Sequence, residues 1–92
     1  MTNIEYLMAI EYEKRDKSEN YDQYKMHEVV IRMLKSLELT RDKWEYLERK
    51  QDRAIEVAKA YEGKDNERYA TAMYLIAIIE RAQECLDKDE RA

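Results

Sequence analysis

The chain has 92 residues, with 17 Lys and Arg against 21 Asp and Glu, a formal charge of -4, 45% hydrophobic and 41% charged positions, and no proline. That is enough for one domain, residues 1–92, and too little for two. A single glycine, and 47 residues drawn from Ala, Glu, Lys, Leu and Arg, exclude Gly-rich phosphate loops, sandwiches and barrels and direct the chain into long helices.

Thr2 and Asn3 are capping residues, and Ile4, Leu7, Met8 and Tyr12 then recur at spacings of three and four, the stripe of a first helix. From Lys14 to Asn20 no residue is apolar. This stretch is either a solvated turn within one helix or a break with Ser18 or Asn20 capping a second. The later stripe of Met26, Val30, Met33 and Leu37 stays in phase with the first, which permits continuity. An unbroken helix from Asn3 to Glu38 would nevertheless reach about 54 Å, against about 33 Å for the segment after it. The overhang favours a break or kink near Ser18.

Thr40 reads as an N-cap, with Asp42 placed against the positive end of the helix that follows. From Arg41 to Glu62, Trp44, Leu47, Gln51, Ala54, Ala58 and Tyr61 alternate by threes and fours, a narrow seam that puts Trp44 in the core. Gly63 ends this helix, and Asp65 or Asn66 caps the last one, which runs to about Asp87. So short a link makes the two an antiparallel hairpin. The expectation is an all-α antiparallel bundle of three long helices, or four if the first is broken near Ser18.

The last helix departs from the stripe pattern. Ten of the eleven residues from Tyr69 to Ile79 are apolar or aromatic, and they surround the helix. A helix apolar all round is buried all round, and the rest of a small chain covers only part of it. The pattern predicts a homodimer or another protein partner, with Tyr69, Met73, Tyr74, Leu75, Ile76, Ile78 and Ile79 as the interface residues. The run is too short to span a membrane.

Glu45-x-x-Glu48 and Glu84-x-x-Asp87 each set two carboxylates on adjacent turns, an oxygen-ligand arrangement suited to Mg²⁺. Paired across a hairpin, these four positions resemble the E-x-x-E and E-x-x-D pairs of the MazG-like all-α nucleotide pyrophosphohydrolases. That resemblance implies a Mg²⁺-dependent phosphohydrolase with Glu45, Glu48, Glu84 and Asp87 as ligands. Acid-x-x-acid occurs eight times in the chain, however, so solvated acids near helix ends are the preferred reading and no cofactor is expected. Arg49, Lys50 and Arg53, with Trp44 and Tyr46, could grip a phosphate backbone, but residues 41–62 carry six basic and six acidic side chains. That balance disfavours nucleic acid. The acidic run Glu13, Asp16, Glu19 and Asp22 leaves a mimic of nucleic acid as a further alternative. Exposed helix pairs such as Glu45 with Arg49, Glu28 with Arg32 and Glu84 with Lys88 account for most of the charge.

His27 is the single histidine, with no partner acid identifiable from spacing, so a structural or surface role is expected. Cys85, the single cysteine, reads as a small apolar residue, and with no charged-then-apolar leader a reducing, cytoplasmic setting follows. The eight tyrosines, against no phenylalanine, belong at boundaries between core and water. The functional expectation is a non-enzymatic protein-interaction module: a small regulator, adaptor or inhibitor of the kind that phages and mobile elements encode.

Overall fold

Four side chains start four helices. Thr2, Asn20, Asp42 and Asp65 each accept a hydrogen bond from the N–H three residues on: Glu5 at 3.1 Å, Gln23 at 2.9 Å, Glu45 at 3.0 Å and Arg68 at 3.1 Å. The computed structural model describes residues 2–91, with side chains through Glu90. Its helices are α1 (Asn3–Asp16), α2 (Tyr21–Leu39), α3 (Lys43–Tyr61) and α4 (Asn66–Arg91), with no strand among the described residues.

The two candidate caps in the polar stretch have separate roles. Ser18 closes α1 by donating its hydroxyl to the Lys14 carbonyl at 3.0 Å, and Asn20 opens α2. The chain therefore breaks where the overhang argument places the break, and the count is four helices. Thr40 is not an N-cap. Its hydroxyl donates back to the Ser36 carbonyl at 2.7 Å, which closes α2, and Asp42 caps α3. Gly63 lies at φ 73, where the backbone turns out of α3 and the Lys64 and Asp65 N–H groups reach the Tyr61 carbonyl at 2.9 and 3.0 Å.

Successive helices run in opposite directions. Asn3 donates to Asp89 at 2.8 Å, which sets the start of α1 beside the end of α4, and Lys25 pairs with Glu67 at 3.2 Å, which sets the start of α2 beside the start of α4. Arg15 on α1 pairs with Glu28 on α2 and lies over the Tyr12 and Tyr24 rings, 4.9 and 5.6 Å from their centres. The hydrogen bond from Arg15, with the charges of Arg15 and Arg32 nearby, holds the Glu28 carboxyl below the usual carboxylate range. α2 and α4 meet in the middle of the arrangement, while the backbones of α1 and α3 stay apart.

The main core joins Ile4 and Leu7 of α1, Val30, Met33, Leu34 and Leu37 of α2, Leu47 of α3, and Ile78, Ile79, Ala82 and Leu86 of α4. Ala54 and Ala58 on α3 and Ala72 on α4 are also buried, and side chains this small let the hairpin helices approach closely. Trp44 does not join the core. It is 40% exposed, and its indole N–H donates to Glu90 at 2.7 Å, because the first turn of α3 stands level with the end of α4.

The Cα envelope measures 42 × 29 × 18 Å, with a radius of gyration of 13.4 Å. A compact chain of this length would give about 12 Å. The short dimension holds about two helix diameters, so the molecule is a slab in which each helix keeps a face outward.

A Cβ added at Gly63 would meet nothing within 4 Å, so a substitution there costs only backbone strain. Gly63→Ala should lower stability by about 1 kcal/mol, and Gly63→Asn by less, in urea denaturation.

Candidate functional site

A charged side chain stands on the apolar stripe of α1. Glu11 follows Ile4 and Leu7 at the same helical spacing, and it is 0% exposed. Its carboxylate is held from two other helices. Nδ1 of His27 on α2 lies 3.0 Å from Oε1, and the Tyr74 hydroxyl on α4 donates to both oxygens, 2.8 Å from Oε1 and 2.7 Å from Oε2. Lys14, one turn along α1, stands 3.8 Å from Oε2. The His27 and Tyr74 rings meet edge to face with centres 5.2 Å apart.

The Glu11 oxygens accept from the phenol, and with Nδ1 as the protonated ring nitrogen they accept from His27 as well. Burial, and then the hydrogen bond to Glu11, push the Tyr74 hydroxyl well above the ordinary tyrosine range. The second imidazole nitrogen, Nε2, has no hydrogen-bond partner among the described residues and is not sealed from solvent. His27 also lines a cavity of about 450 Å³ at the joint of α1 and α2, together with Lys14, Lys17 and Gln23. The arrangement can orient an imidazole through one nitrogen and present the other to a small ligand.

The surface of α4 is the second feature. Ala72, Ile78, Ile79, Ala82 and Leu86 face inward. Of the seven interface candidates, Ile78 and Ile79 are therefore core residues, 2% and 0% exposed, and the inward face of α4 does not meet solvent. Tyr69, Tyr74, Leu75 and Ile76 are half-buried, and Met73 is 44% exposed, between the exposed Ala70 and Ala77. Tyr74 turns inward to Glu11. What stays open is a strip of Tyr69, Ala70, Met73, Ile76 and Ala77.

The acidic pairs do not assemble a metal centre. Glu45, Glu48 and Glu84 are exposed and Asp87 is half-buried, and among the described residues no three His, Cys, Asp or Glu side chains are grouped to hold an ion. Arg49, Lys50 and Arg53 point to solvent among acids, with Arg53 3.4 Å from Glu56 and Lys50 over the Tyr46 ring. In the acidic run, Glu13 is paired with Lys17 at 2.7 Å and Asp16 with Arg15 at 3.3 Å. Cys85 is half-buried, and burial pushes its thiol up, away from a reactive thiolate. No described helix is long and apolar enough to cross a membrane.

Comparison with protein-family models, with curated proteins and with solved structures gave no match.

Tyr74→Phe leaves a buried carboxylate without one of its donors and should lower stability at neutral pH by about 1.5–3 kcal/mol. The same contact gives an alkaline dependence. Below about pH 10 both folded and unfolded chains keep the phenolic proton; above it the unfolded chain releases the proton while the folded chain retains it, so stability falls as pH rises. Denaturation midpoints taken from neutral pH upward should decline more steeply above about pH 10 in the wild type than in Tyr74→Phe.

Proposed function

We propose that the chain is a non-enzymatic protein-interaction module that pairs with a second copy of itself through the open strip of α4. The observation that supports this reading is Met73, left 44% exposed between two exposed alanines in the middle of the apolar stretch 69–79 of α4. Small residues on either side of a flexible one let two helices approach closely, and Met adapts to the gap that remains.

Setting Ala70 of one copy against Ala77 of the other places the two Met73 side chains at the centre of an antiparallel contact, and a two-fold axis closes the pair. In this reading the module is a regulator, adaptor or inhibitor that works by surface complementarity. It acts in the cytoplasm, where the lone Cys85 stays reduced.

Sedimentation equilibrium at low micromolar concentration tests the proposal. The wild type should give the dimer mass, and Met73→Glu the monomer mass with unchanged helical circular dichroism. A monomer mass for the wild type at every concentration overturns the reading.

A further inference from the structure

The cavity where α1 turns into α2 has an unusual wall. His27 is 8% exposed, its Nδ1 is fixed on the buried Glu11, and its Nε2 lacks any described partner. Nε2 is therefore a solvent-reachable atom on the cavity wall, free to be met by a ligand or by water. Apart from the Glu13 carboxylate, the polar side chains around it can donate. Lys14 has only its loose 3.8 Å approach to Glu11, and Gln23 uses its side-chain carbonyl to accept from the Glu19 N–H at 3.1 Å, which leaves its amide NH₂ available. Lys17 lies on the same wall, engaged with Glu13 in an exposed pair of the kind that contributes little and exchanges readily. Gln23 also lies in the first turn of α2, at the positive end of that helix.

We propose that this cavity is a binding site for a small oxyanion, a phosphate or carboxylate group, held by Nε2 of His27, the ammonium groups of Lys14 and Lys17, and the amide of Gln23. Glu11 is the positioning residue. Its carboxylate accepts from Nδ1, so Nε2 is the nitrogen that faces the ligand; with the ring proton on Nδ1, Nε2 accepts, and it pairs with the hydroxyl of a protonated phosphoryl oxygen. Glu13 on the rim offsets one lysine, so the site favours a ligand of low charge. A volume of about 450 Å³ leaves room for the anionic head of a larger molecule as well as for a free ion.

The chain has a single histidine, so its imidazole proton resonances report the site without assignment ambiguity. Inorganic phosphate and, separately, acetate would be titrated into the full chain at fixed pH and ionic strength, with chloride as the balancing salt. Phosphate should displace the His27 signals saturably. Lys14→Ala combined with Lys17→Ala should raise the half-saturation concentration at least about fivefold while the helical spectrum stays unchanged. Saturation by phosphate alone assigns a phosphoryl ligand, and saturation by both anions assigns the wider oxyanion class. No displacement beyond that of chloride, or equal saturation in the double variant and the wild type, overturns the proposal.

Discussion

Glu11 carries a formal charge into a place that water does not reach, and a carboxylate there is tolerated only while its acceptor sites are filled. The donors that fill them come from α2 and α4, so three helices are obliged to meet at one point. A slip of any of the three by one turn, about 5.4 Å, would separate the partners and leave the charge uncompensated. The apolar layers beneath have no such specificity. Leucine and isoleucine side chains at neighbouring turns are nearly interchangeable in energy, and a core made only of them would tolerate alternative registers. The polar cluster therefore contributes less to the amount of stability than to its uniqueness.

The slab shape follows from a different limit. α4 is apolar on more sides than three short neighbours can cover, and α1, with 14 residues, spans little more than half of the 26-residue α4. The hairpin contact with α3 and the central contact with α2 take the inward face of α4. The remaining strip sets two exposed alanines and one methionine between the half-buried Tyr69 and Ile76, a surface that packs closely once covered.

Much of this architecture is legible in the residues. Gly63, Asp65 and the alternating threes and fours of α3 mark their elements without tertiary help, because caps and stripes are local properties. The break near Ser18 is legible too, through the absence of apolar residues and the length mismatch. Thr40 is misread because a threonine beside Asp42 offers two oxygens to neighbouring termini, and which oxygen serves which helix depends on the loop path. Trp44 is misread because heptad spacing gives the direction of a side chain but not where the facing helix stops. The polar cluster leaves a fainter signal. Glu11 sits in phase with Ile4 and Leu7, and His27 in phase with Val30, Ile31 and Leu34, so each is a polar residue on an apolar stripe. Those two phases reveal burial; that the two residues bury against each other depends on how α1 and α2 are apposed.

The cluster and the open strip are connected through the rotation of α4. Tyr74 and Met73 are adjacent, and successive residues on a helix point about 100° apart. Anchoring the Tyr74 hydroxyl on Glu11 turns Ile78, one turn along, into the core and carries Met73 outward with Ala70 and Ala77. Had α4 been held by apolar contacts alone, a helix so evenly coated could have rotated and buried a different set of side chains with little change in area. The buried carboxylate removes that freedom. It selects one face of α4 for the core and, by the same geometry, fixes which face is left for a partner.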